Sequence, residues 1–220
     1  MKKILVLVTL FLLPISIYLF FATGVNNFGI LPVLVNNVAE IQNFKTSSGA
    51  KLQLKDKITV LGFFGKEPLE TKAYTYNLAH KIYKKNNAFK EFQFVILLPE
   101  GTENSAKILK SKISEIAPTE SWKFGFGTSQ DIETVFKSLK SGYQLDSRDA
   151  SPYVFIIDKE QNLRGRNDDE DVQDGLVYGY NSADIGDINN RMSDDVKVVL
   201  AEYRKALKKN NRDSKIKPKE

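Results

Sequence analysis

The stretch TVLGFFGKEPLETKAY, Thr59 to Tyr74, has the form of a reactive junction: an apolar strand, a glycine turn and the start of a helix. In exported proteins such a junction often carries a cysteine pair, whose thiolates exchange disulfides or hold soft metals. This chain has no cysteine. Disulfides, thiolate metal sites and thiol redox chemistry are excluded together. Other residues fit for chemistry are sparse. His80 is the only histidine, set in NLAHKIYKK beside Lys81, Lys84 and Lys85 with no carboxylate or thiol nearby, and reads as a surface or boundary residue. In NDDEDVQD, Asn167, Asp169 and Asp171 alternate as loop ligands of a hard cation do. The EF-hand pattern fails, because Val172 and Tyr178 stand where that loop needs glycine and glutamate. A solvated acidic loop or a weak hard-cation site on those three residues remains. The GFG of KFGFGT is followed by no phosphate-binding pattern, and no serine lies in G-x-S-x-G. The chain reads as a non-enzyme with no cofactor.

Several elements must position this junction. MKK precedes Ile4 to Ala22, nineteen residues without a charge. That length spans about 30 Å of hydrocarbon at about 1.5 Å per residue. A signal peptide has a shorter apolar core and small residues before the cut, and LFFATGVNN offers no clean A-x-A pattern. Residues 1–22 are read as a transmembrane anchor in membrane lipid, with a cleaved signal peptide as the alternative. Lys2 and Lys3 keep the N-terminus cytoplasmic, so the expectation is a single-pass inner-membrane protein with its domain in the periplasm.

Residues 23–38 read as a linker, broken by Asn, Gly and Pro. A domain over 39–208 follows, opening with a hairpin around Ser-Ser-Gly in EIQNFKTSSGAKLQL. KITVLGFFG and FQFVILLP read as buried strands, WKFGF as a short one and YVFIID as a fourth, with NLRGR pairing back on it across DKEQ. Helix faces are marked by Tyr74, Leu78 and Ile82, and by Ala106, Leu109, Ile113 and Ile116. Two more are marked by Ile132, Val135, Phe136 and Leu139 behind a Ser129 cap, and by Ile188, Met192, Val196, Val199, Tyr203 and Leu207. Alternating strands and helices predict an α/β fold with a mainly parallel centre and an antiparallel edge. About 166–187 look like an insertion, functional or mobile. Much of the net charge of +5 sits in the tail RKALKKNNRDSKIKPKE, which suits contact with nucleic acid or lipid headgroups but reads better as a solvated end; 209–220 is read as disordered, with no nucleic-acid partner. With 42% hydrophobic residues, 14 Phe and 9 Tyr, the rest suits a well-packed core.

This order of elements resembles a thioredoxin-like fold of the Sco/SenC type, a central mixed sheet with flanking helices. Those proteins are membrane-anchored copper chaperones of respiratory oxidase assembly. In them a strand ending F-G-F/Y-T leads into C-x-x-x-C-P, and a D-H-S/T motif precedes the fourth strand. Here LGFFGKEPLET puts Lys66 and Glu70 at the two cysteine positions, and DAS puts Ala150 at the histidine. An ammonium, a carboxylate and a methyl group do not suit a soft copper ion. Lys66 and Glu70, four apart, are expected to pair with each other, an exposed bridge worth about 0.3–0.5 kcal/mol. The stretch SPYVFIIDKEQ resembles the thioredoxin segment opened by a cis-proline. That likeness implies a cis Ser151–Pro152 bond beside Lys66 and Glu70, with free backbone groups where an extended partner docks. The reading is a non-catalytic, membrane-anchored protein that binds an unknown envelope protein. The alternative is metal handling through non-cysteine ligands.

Overall fold

A computed structural model describes residues 2–23 and 29–216. Its centre is built from two runs too apolar to face water on either side. Strands β2 (Ile58–Phe64) and β3 (Phe92–Pro99) are buried at every residue. They pair in parallel, and β4 (Trp122–Gly127) extends the parallel set beside β3. On the other flank β5 (Ala150–Ile157) runs antiparallel to β2, then turns through DKEQ into β6 (Leu163–Arg164). The path is completed by β1 (Val33–Val35) against β6, giving the order β1-β6-β5-β2-β3-β4.

Period-two alternation splits these strands between two cores. Val60, Phe64, Phe94 and Ile96 face one side. There they meet α2, which begins as Lys72–Leu78 and continues through a wide turn over Ala79–Tyr83 into Lys84–Asn86. Also on that side are α3 (Glu103–Ser114) and α5 (Ser193–Ile216), the latter entered through Ile185–Asp187 and a second wide turn at Ile188–Met192. Leu61, Phe63, Val95 and Leu97 face the other side, under α4 (Ser129–Ser138). The expected stripes are these buried faces: Leu78 and Ile82, Leu109 and Ile113, Ile132 and Val135, Val196 and Val199. Leu207 lies outside the residues whose side chains are described.

Several expectations are corrected. The linker reading of 23–38 misses β1, and Leu31, Val35 and Val38 are core residues; residues 24–28 lie outside the described ones. The hairpin contracts to one Lys45–Lys51 bridge around the turn at Thr46–Ala50, because Lys45 pairs across to Phe126 on β4. The α4 cap is Thr128, whose hydroxyl accepts the Asp131 N–H at 3.1 Å while the Asp131 carboxylate accepts the Thr128 N–H at 3.2 Å. Ser129 is already helical. The backbone stays helical to Ile216, into the segment read as disordered, continuing the helix from Ser193 with no proline before Pro218 to stop it; 217–220 lie outside the described residues. The expected anchor falls on α1 (Lys2–Thr23), with Pro14 inside it. Among the described residues no helix is long and apolar enough to cross a membrane.

The insertion is bound to the domain at several points. Arg166 pairs across to Val177, and β7 (Tyr180–Asn181) adds to β5 at Tyr153 and Val154. Arg166 also grips Asp195 on α5 at 2.8 Å and Asp169 at 3.1 Å. Tyr180, fully buried, donates its hydroxyl to Asp195 at 2.7 Å. Burial, then the adjacent Asp195 carboxylate, pushes the Tyr180 phenol well above its usual pKa.

Candidate functional site

The corner where β2 ends and α2 begins is fixed by backbone first. Phe63 and Phe64 pair with Ser151 and Ala150 on β5. Gly65 follows at φ +67°, and a Cβ there would stand 2.4 Å from the Arg148 carbonyl and 2.7 Å from the Ala150 Cβ. Only glycine fits so close an approach in that conformation. The Lys66 N–H then donates to the Arg148 carbonyl at 2.8 Å. Opposite, Asp146 folds the loop before β5, its carboxylate accepting the N–H groups of Arg148 and Ala150 at 2.9 Å each. The strand end, the helix start and this loop meet around a shallow cavity of about 200 Å³, with Phe64, Tyr74, Glu70, Ser151 and Pro152 in its wall.

Lys66, Glu70 and Ala150, far apart in sequence, therefore share one corner, as the resemblance implies. The expected Lys66–Glu70 bridge is not among the described ion pairs. Lys66 pairs with Asp149 at 3.2 Å, and Asp149 is also bound by the Ser129 hydroxyl at 2.7 Å. Glu70 pairs with Arg148, which also holds Glu67 at 2.8 Å and Asp146 at 3.3 Å. Lys66 and Glu70 both precede the helix, which begins at Lys72, so their four-residue spacing puts them on no common helix face, and the loop before β5 supplies each charge with a partner instead. Contacts with Glu67, then Glu70 and Asp146, raise the Arg148 pKa further above its usual range. Burial opposes ionisation of Asp146, and the amides of Ala150 and Arg148 with the guanidinium outweigh it, so its pKa falls. Sequence reasoning missed Arg148, Asp149, Asp146 and Glu67. The charged run DSRDA before β5 was the available signal.

Chemically the corner is an ion-pair clamp. It offers no thiolate or imidazole, so its donors do not fit the copper ion that the resemblance implies. In a competition titration the protein will take up copper(I) no better than an unrelated cysteine-free protein. Stoichiometric binding tighter than micromolar would show that other donors complete a site.

The docking geometry is also corrected. Among the described residues no peptide bond is cis, so Ser151–Pro152 is trans. The edge beside it is not bare. Ser151 pairs with β2, and the Pro152 carbonyl accepts the Ser182 N–H at 2.8 Å and the Ser182 hydroxyl at 2.6 Å. The insertion itself lies where an extended partner would add. The acidic residues are likewise spent internally. Asp169 is buried between Arg166 and Arg191, each at 3.1 Å, and Asp171 reaches Arg191 at 3.0 Å, while Asn167 is exposed. Guanidinium groups occupy the lone pairs that a cation needs. Among the described residues no group of three or more His, Asp or Glu side chains is placed to hold a metal ion. His80 is exposed on α2.

The sheet order, the helices on both faces and the β2–α2 corner define a thioredoxin-like fold, here without a thiol. It is shared with solved proteins of low sequence identity. A SCO1/SenC family lipoprotein from Bacillus anthracis str. Ames superposes with a TM-score of 0.54 at 16% identity, over 78% of this chain and 99% of that one. A protein from Aquifex aeolicus VF5, described as an electron transfer candidate, gives 0.53 at 18% identity, over 76% and 92%. A protein disulfide isomerase candidate from Bacteroides thetaiotaomicron gives 0.51 at 12% identity, over 79% and 95%. No family model and no curated protein matches the sequence.

Proposed function

We propose that this chain is a cysteine-free protein of Sco/SenC type that acts by binding another envelope protein and catalyses nothing, anchored in the inner membrane with its domain in the periplasm. The observation that carries the reading is the replacement of the reactive corner by a charge clamp. The backbone frame around Gly65 is kept, while Lys66, Glu70 and Ala150 stand where the resemblance places soft ligands. A frame kept without its chemistry suits recognition. With the β5 edge covered by Ser182, contact falls to the cavity mouth, where Glu67 and Glu70 are exposed beside Ser151 and Pro152. The anchor rests on the uncharged run from Ile4 to Ala22 in the sequence and on exposed Leu10, Phe11, Leu13 and Ile17 of α1, although no described helix by itself meets the length and apolarity of a span. A role in respiratory-complex assembly is what the resemblance suggests.

In native membranes the full chain will resist a high-pH carbonate wash. After mild detergent it will co-purify with one protein in fixed ratio, and the Glu67→Lys, Glu70→Lys double variant will lose most of that protein while folding normally. A chain recovered alone, or a partner indifferent to both charges, would count against the proposal.

A further inference from the structure

We propose that the basic end of α5 is a contact for anionic lipid headgroups, set at the end of the domain where the chain arrives from α1. The inference rests on the anchored reading above and adds a second, electrostatic hold to it. The starts of β2, β3 and β4 and the finish of β5 share one end of the sheet, because the first three strands are parallel and β5 opposes β2. Both ends of the domain come there. The Leu31 N–H donates to Glu202 at 2.9 Å, and the Leu31 carbonyl accepts from Arg164 at 2.7 Å. Arg204 lies over Phe89, just before β3, at 5.9 Å. Past half-buried Tyr203 the next side chains of α5 are exposed. The helix runs on to Ile216, about 18 Å beyond Arg204 at its usual rise. Between Thr23 and Leu31 the chain reaches at most about 28 Å, so an inserted α1 keeps this helix end close to the bilayer.

The charge pattern matches that position. Residues 208–216, the last of α5, hold four basic residues, Lys208, Lys209, Arg212 and Lys215, against Asp213, a net charge of +3. Lys208, Arg212 and Lys215 recur at i, i+4 and i+7, which is one helix face. The opposite end of the sheet, where β2 and β3 finish and β5 begins, carries Glu67, Glu70, Glu100, Asp146 and Asp149 against Lys66 and Arg148. An anionic surface therefore attracts one end and repels the other, and both forces orient the domain the same way. Each basic residue near such a surface is worth about fivefold in binding, an effect that salt screens.

Because the chain lacks cysteine, Ser214→Cys gives a single labelling site. The dye-labelled full chain is mixed with vesicles of phosphatidylcholine, alone or with about a third phosphatidylglycerol, containing a headgroup quencher. Quenching several-fold stronger on the anionic vesicles at low salt is expected. It should fall to the neutral-vesicle level in molar salt, and in the Lys208→Gln, Lys209→Gln, Arg212→Gln, Lys215→Gln variant. Equal quenching on both vesicles overturns the inference, as does displacement from anionic vesicles by short duplex DNA at physiological salt. Flotation separates the two readings. A chain that floats with neutral vesicles but ignores phosphatidylglycerol removes the lipid contact alone. Flotation only with anionic vesicles at low salt removes the anchor and keeps the contact. Flotation with neither removes both.

Discussion

Replacing Arg164 by methionine will lower the stability of the domain by about 3–5 kcal/mol, the range for breaking a buried ion pair from one side. Arg164 is buried between Asp158 at 3.2 Å and Glu202 at 2.6 Å, and its Nε also satisfies the Leu31 carbonyl. One guanidinium thus joins β1, the β5–β6 hairpin and α5. Methionine fills much of the volume and leaves two carboxylates, one fully buried, without their cation. Urea unfolding followed through the single, fully buried Trp122 measures the loss. A change below about 1 kcal/mol would mean that water reaches the carboxylates and the network is not the joint described here. Neutralising the acids as well, by Asp158→Asn and Glu202→Gln beside Arg164→Met, should recover a large part of the loss, since the cost lies in stranded charge.

The second large effect is expected at Gly65. Alanine there will cost about 3 kcal/mol, from two sources that a second glycine separates. At Gly101, φ is +88° and a Cβ would meet nothing within 4 Å, so Gly101→Ala carries only the left-handed penalty, about 1–2 kcal/mol. At Gly65 the same kind of penalty is joined by a Cβ driven against the Arg148 carbonyl and the Ala150 Cβ, both on the loop and strand that close the corner. Relief means moving backbone, and overpacking of this kind costs about 1–3 kcal/mol. The Lys66–Arg148 backbone bond should lengthen, so the Lys66–Asp149 and Glu70–Arg148 pairs should loosen too. Equal losses at Gly65 and Gly101 would show that the corner yields freely.

The long buried strands were readable because ITVLGFF and FQFVILLP have no polar face to mislead, and the helices because their apolar stripes repeat. What escaped was short or non-local. A three-residue strand such as β1 has no period to detect, and its burial depends on β6, whose partner residue Arg164 lies far along the chain. Thr128 and Ser129 are both good caps, and only the reciprocal bond with Asp131 decides between them. The site was legible as a location, since the strand–glycine–helix junction is local. Its chemistry was not, because Glu67 and Glu70 meet Arg148 only once β5 lies against β2. Helical spacing suggested Lys66 with Glu70, but both lie in the turn before the helix, where that spacing has no force and tertiary neighbours decide.

Ser182 on the Pro152 carbonyl has a consequence for how the protein behaves when crowded. A sheet invites a foreign strand through a row of bare N–H and C=O groups. Along β5 that row is closed by β7 and Ser182, and at β4 it is interrupted by Lys45 against Phe126. The remaining flank, β1, is three residues long and follows Pro32. Neighbouring copies packed side by side thus find little with which to zip together, and the fold resists templated aggregation without a disulfide to lock it.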